Sequence, residues 1–164
     1  MEEIYKRMKA HLLEGMVFHD EMSRYYSFLG LKDYAKCHEM HYAKETEGYK
    51  RLSRFYLRHY NKLIPNIPMS RPDIIPDSWY NANQMEVDNG TRQSYLAKGY
   101  KKWIEWETGT LNFFTELKEN ADPITCHLIS EYIEDVSEEL AEAKEQYIMH
   151  EMIGYDLQTI YSRG

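Results

Sequence analysis

His19, His41, Glu45 and Glu107 are the residues of this 164-residue chain best placed for chemistry. Each interrupts a run of apolar side chains that recurs at steps of three and four. His41 and Glu45 occupy adjacent turns of one such face, and Glu107 lies between Trp103 and Thr110. Glu14, with His11, sits at the edge of the stripe that carries His19. Glu139 sits at the core boundary of a fourth stripe, one turn from Val136 and Ala143. Carboxylates in the middle of a buried face are costly unless paired or bound to a cation. Glu and His converging from several helices is how bundles build metal sites, and such ligands suit iron or manganese. The same residues have a second outcome, a buried polar network. The chain has 15 tyrosines and only five phenylalanines, so a partly polar interior with hydroxyl partners is expected.

The elements that must position these groups are helices. In the first, residues 2–29, Ile4, Met8, Leu12, Gly15, His19, Met22, Tyr26 and Leu29 share one face. Gly30 supplies its stop, and Asp33 is a candidate N-cap for the second helix, residues 33–60. That helix carries Tyr34, Cys37, His41, Glu45, Gly48, Leu52, Phe55 and His59 as its stripe. Two helices of nearly equal length with a very short link form an antiparallel hairpin. This register sets His19 level with His41, and Glu14 or Gly15 level with Glu45.

Residues 61–90 break the pattern. Four of the five prolines (Pro65, Pro68, Pro72 and Pro76) fall there, and Asn89-Gly90 closes the stretch. About 25 residues at up to roughly 3.3 Å each reach the full length of a bundle, so the third helix is expected to begin at the far end from where the second stops. Trp79 and Tyr80 are expected to pin this crossover, with a short extra helix over 78–87. Helix 3 is predicted over 91–119 with Thr91 as N-cap. Asp122-Pro123 then opens helix 4, residues 123–162, the Asp capping and the Pro at the first helical position. Glu131, Asp135, Glu138, Glu142 and Glu145 recur opposite its apolar stripe and read as a solvated face. Gly154 is a candidate bend, and the end of this helix is expected to project from the bundle or dock on a partner. The predicted fold is all-α, an antiparallel four-helix bundle in one domain, with two helical hairpins joined by a long crossover between helices 2 and 3.

Composition narrows the function. A net charge of −7 argues against general nucleic-acid binding. The basic face of Arg51, Arg54 and Arg58 is more simply explained by pairing with neighbouring acids and the helix C-terminal dipole. No apolar run is long enough to span a membrane, and the charged, amphipathic start does not read as a signal peptide. Cys37 and Cys126 have no CxxC partner and sit in helical patterns as small core or boundary residues. They point to reduced thiols in a cytoplasmic setting. There is no glycine-rich phosphate loop, no GxSxG elbow and no zinc-spaced cysteine set.

With these residues placed, the chain resembles the ferritin-like superfamily of ferritins, bacterioferritins and rubrerythrins. The architecture carries most of the resemblance, over nearly the whole length. Locally, Gly30-Leu31-Lys32 leading to Lys44-Glu45-Thr46-Glu47-Gly48 is similar to the bacterioferritin approach to its helix 2 ligands. Trp103-Ile104-Glu105-Trp106-Glu107, followed by Leu111 to Ala121, is similar to the family's third helix, with Glu107 at the metal-bridging glutamate. Asp122-Pro123 is similar to the start of the fourth. The family's Glu-x-x-His signal is not kept. Glu45 matches its glutamate, but Gly48 stands at the histidine. On helix 4 Val136 and Glu139 occupy the matching positions, and the alternative frame, Glu131 with Glu134, also lacks histidine.

The resemblance implies a di-metal oxidase or metal-handling protein that uses iron or manganese at an altered site, with Glu14, His19, His41, Glu45, Glu107 and Glu139 as candidate ligands. It also implies a homo-oligomer, dimer or larger. The alternative is a metal-free ferritin-like scaffold acting through protein–protein contacts.

Overall fold

The computed structural model describes residues 1–84 and 88–152. Four long helices make up most of them: α1 (Glu2–Phe28), α2 (Lys32–Tyr60), α3 (Asn89–Lys118) and α4 (Pro123–Met152). No strand occurs among the described residues, and no helix among them is long and apolar enough to cross a membrane. The bundle and its long crossover are as expected from the sequence. The predicted continuation of helix 4 to residue 162, with its Gly154 bend and projecting end, lies outside the described residues.

Local chemistry sets the ends. Gly30 takes a positive φ of 76°, a conformation that carries little penalty without a Cβ. Its N–H donates to Ser27 O at 3.0 Å and the Leu31 N–H donates to Tyr26 O at 2.9 Å, which closes α1 in a Schellman motif. Leu31, not Asp33, is the N-cap of α2, and Asp33 lies in its first turn. Helix 2 stops at Asn61 in the left-handed region, with φ 56°, before the first proline acts. At α3 the cap is Asp88, whose Oδ1 accepts from Thr91 N at 2.8 Å. Thr91, expected as the cap, is instead the capped residue, because an aspartate three positions earlier satisfies its N–H. Asp122 caps α4 as expected, accepting from Thr125 N at 2.8 Å.

Contacts at the two ends fix the topology. Tyr60 of α2 donates to Asp122 Oδ2 at 2.7 Å, and the Tyr5 and Thr125 hydroxyls are 3.0 Å apart. The start of α1, the end of α2 and the start of α4 therefore share one end. At the other end Arg92 Nε donates to Leu29 O at 3.0 Å, which places the start of α3 beside the α1–α2 turn. The crossover thus runs the length of the bundle, and it does so along α1. Lys9 Nζ donates to Ile64 O, Ser70 N donates to Glu14 Oε1, and Ile74 N donates to Glu21 Oε2. Trp79, in a short 3-10 helix (Asp77–Asn81), packs on Tyr25 and Phe28. Tyr80 does not help to pin the segment: it is exposed, because only one face of so short a helix meets the bundle.

The core has two apolar halves. One, near the α1–α2 turn, contains Met22, Leu29, Leu96 and Trp103. The other, near the chain start, contains Met8, Leu12, Leu52, Phe114 and Ile129. Between them, at mid-bundle, lies a layer in which the helices present His19, Glu45, Glu107 and Glu139. Apolar burial on both sides stabilises the bundle and strips solvent from this layer.

Candidate metal centre

Each helix contributes to the polar layer. From α1 comes His19, fully buried, and from α3 Glu107, also fully buried. Helix α2 offers His38, His41 and Glu45 on successive turns of its inner face, and α4 offers Glu139 with Glu142 one turn on. One donor atom each from His19, Glu45, Glu107 and Glu139 lies within 4.8 Å of the others. His19 Nε2 is 3.4 Å from Glu107 Oε1 and His41 Nδ1 is 3.6 Å from Glu139 Oε1. Four buried polar atoms here have no hydrogen-bond partner: His19 Nε2, His41 Nδ1 and both carboxylate oxygens of Glu107. Orphaned buried polar atoms are rare. With metal–ligand bonds of about 2.0–2.2 Å, neighbouring ligand atoms sit roughly 3.0–3.6 Å apart. The separations of 3.4 and 3.6 Å match that spacing better than they match direct hydrogen bonds.

The local environment supports the same arrangement. Gly15 of α1 stands beside Glu45: a Cβ there would meet Glu45 Oε2 at 3.1 Å, so the missing side chain makes room for the carboxylate. His38 Nδ1 lies 3.0 Å from His19 Nδ1. In the tautomer where His19 donates that bond, its Nε2 lone pair is left facing Glu107, as a metal ligand requires. Trp103 sets its ring edge-on against both His38 and His41.

Burial sets the electrostatics of the layer. Burial, then the nearby Glu139, pushes Glu45 up to about 8. Burial, with Glu139 and Glu45 adding, holds Glu107 well above the usual carboxylate range. His19 is held well below the ordinary histidine value by burial and by His38 and His41, and burial takes His38 down to about 3. At His41 burial also works downward, but Cys37 and Glu139 overcome it and raise the ring to about 10. Without a cation, burial favours the protonated forms of Glu45 and Glu107, and the raised His41 ring lies against Glu139. A divalent ion would reverse this for the carboxylates.

Of the residues expected at a site, His19, Glu45, Glu107 and Glu139 meet, with His41 against Glu139. Glu14 is not brought to them, since its carboxylate accepts from Ser70 N of the crossover at 2.9 Å. His11 is stacked between Trp106 and Phe113. The Gly48 backbone is engaged from α4: the Tyr132 hydroxyl donates to Gly48 O at 2.7 Å, and a Cβ at Gly48 would make ordinary contact with Tyr132 and Leu12, at 3.5 and 3.8 Å. Sequence reasoning missed His38, whose i, i+3 spacing to His41 was the available signal. It also placed Glu142 on a solvated face. That residue is 45% exposed, yet Glu142 Oε2 reaches to 3.9 Å from His41 Nε2. The basic face is partly used as expected, with Arg51 pairing with Glu131 and Asp135 and covering the Tyr132 ring.

A groove of about 680 Å³ between α2 and α4 opens onto the layer, lined by Glu45, Gly48, Arg51, Asp135, Glu139 and Glu142 among others. It gives the mid-bundle carboxylates a path to solvent.

No family model and no curated protein matches this chain. Among solved structures, it is similar to one described as "Humanized Archaeal ferritin". The TM-score is 0.78 at 18% identity, over 98% of this chain and 90% of that one. At that identity the likeness speaks for the backbone, and it agrees with the two hairpins and lengthwise crossover described above: this chain has the ferritin-like four-helix fold.

Proposed function

We propose that this protein binds iron or manganese in the mid-bundle layer and acts as an oxidase or metal-handling protein of ferritin-like fold. His19, Glu45, Glu107 and Glu139 are the ligands, and His41 supports Glu139. The single observation that carries the reading is the convergence of these four donors, with both Glu107 oxygens and His19 Nε2 buried and unpartnered. Three carboxylates and one imidazole form a hard, oxygen-rich set that suits iron and manganese. A bound ion of this kind would supply redox chemistry towards oxygen or peroxide at its open positions. The chain's own residues do the rest. Gly15 leaves room for Glu45, His38 orients His19, and the two apolar halves exclude water from above and below. The protein is further proposed to work as a cytoplasmic homo-oligomer.

The test is metal analysis of protein purified without a histidine tag, followed by thermal unfolding after loading with iron or manganese. Bound metal and a raised melting temperature are expected. Absence of both would overturn the reading.

A second reading is favoured by one observation: where the resemblance would put a histidine stands Gly48, whose carbonyl accepts from the Tyr132 hydroxyl. The fold would then be a metal-free scaffold whose buried Glu45 and Glu107 stay protonated. It predicts a stable oligomer that neither binds metal nor releases protons when metal is added.

A further inference from the structure

We propose that Cys37, His41 and Glu142 form a second, outer cation site at the α2–α4 seam, suited to a borderline-soft divalent ion of the zinc or cobalt type. This site stands on its own donors, whether or not the inner layer holds iron or manganese.

Cys37 and His41 are four residues apart on α2, so their side chains lie one above the other on one face. Glu142 reaches them from α4. One donor atom from each lies within 4.8 Å of the other two, and His41 Nε2 is 3.9 Å from Glu142 Oε2. That gap is too long for a hydrogen bond and a few tenths of an ångström beyond the spacing of neighbouring ligand atoms, a difference that a small turn of the half-exposed Glu142 side chain closes. The His41 ring is fixed from the inner side. Its side chain is 4% exposed, and its Nδ1 lies 3.6 Å from Glu139 Oε1 without a hydrogen-bond partner. Nε2 is therefore the nitrogen turned towards Glu142. Cys37 is a free, half-buried thiol.

The two donor sets differ in kind. The inner one is three carboxylates and an imidazole, whereas the outer one is a thiolate, an imidazole and a carboxylate. Sulfur shifts preference away from manganese and towards zinc-like ions. Three protein ligands leave one tetrahedral position for water. On binding, the Cys37 thiol and the protonated His41 ring each give one proton to solvent, and Sγ and Nε2 each donate a lone pair to the ion, with no change of oxidation state. Glu142 and Glu139 both line the α2–α4 groove, and the His41 ring stands between them, with Nδ1 towards Glu139 and Nε2 towards Glu142.

The experiment is an anaerobic titration of the tag-free full chain with cobalt(II), read by absorption. A near-ultraviolet thiolate-to-cobalt charge-transfer band is expected in the wild type. It should vanish in Cys37→Ser and persist in Cys126→Ser. Glu142→Gln should raise the cobalt concentration needed for half the band by about tenfold or more. Glu107→Gln, which disables the inner set, should leave the band in place. Circular dichroism confirms that each variant is folded, and a folded Cys37→Ser variant that keeps the band overturns the site. So does a wild type with no band, which would leave Cys37 and His41 as a plain hydrogen-bonded pair. Loss of the band in a folded Glu107→Gln variant would place Cys37 in the inner centre and overturn a separate outer one.

Discussion

Replacing Glu45 by glutamine separates what this residue does to the fold from what it does for a cation. Its carboxyl is pushed from 4.5 to about 8 on folding, by burial first and then by Glu139. Between those two values the folded chain holds a proton that the unfolded chain has released. Stability of the metal-free protein therefore falls as pH rises through this window. At pH 7 the gap from 4.5 is about 2.5 units, and at ~1.4 kcal/mol per unit the penalty is about 3 kcal/mol. Glu45 keeps some solvent contact, which trims the expected figure to about 1–3 kcal/mol. Glutamine has the same shape and no charge, so Glu45→Gln should stabilise the metal-free protein by that amount at pH 7–8. The gain should be absent near pH 4.5, where both chains carry a neutral group. For a chain of this size each kcal/mol corresponds to roughly 2–4 °C. Thermal unfolding of chelator-treated wild type and variant at pH 4.5 and pH 8 reads the difference. Manganese loading supplies the opposite sign. The wild type should gain about 2.7 kcal/mol at a hundredfold excess over its dissociation constant, while the variant should gain much less. A metal-free variant that melts at or below the wild type at pH 8 would refute the reasoning. The Glu45 carboxylate would then be held by internal partners and not be waiting for a cation.

Three further outcomes follow from the same geometry. Manganese binding at pH 7 should release about one to two protons per ion as Glu45 and Glu107 ionise, measurable by titration in unbuffered solution; an ion bound without proton release would mean that these carboxyls are not ligands. His38→Leu removes the group beside His19 Nδ1 and should weaken manganese affinity about 10- to 100-fold, which calorimetric titration would show. Gly99→Ala should destabilise the fold by about 1–3 kcal/mol in urea, since a Cβ there overlaps the Tyr26 hydroxyl and meets its Cζ at 2.8 Å, and that ring is packed against Tyr34 and His38.

The legibility of the sequence varied with the range of the interaction. The Gly30 stop and the Asp122-Pro123 start are short-range features, complete within a few residues, and both were readable. Thr91 was misplaced as a cap because Asp88 and Thr91 both carry capping side chains, and only backbone direction decides which one accepts. Trp79 and Tyr80 are adjacent and both aromatic, so nothing in the sequence separated the buried ring from the exposed one. His38 was missed for a related reason. A stripe drawn through Cys37, His41 and Glu45 is one of two overlapping inner faces on a long helix, and His38 belongs to the other.

By itself the sequence determined that there are four helices, that one connection is long, and that ionisable residues fall on inner faces. Those conclusions rest on periodicity, glycine and proline, which act within a turn or two of chain. Tertiary structure decided which of those ionisable residues meet. Glu14 was within reach of the layer by register, but the crossover lies along α1 and its Ser70 N–H takes the carboxylate. Gly15 matters only because α2 brings Glu45 against it. Glu142 joins His41 because of the rotation of α4 about its axis. The path of the crossover and the rotation of each helix depend on how two apolar halves pack across all four elements. No local pattern records that outcome, and it is what turns four scattered donors into one centre.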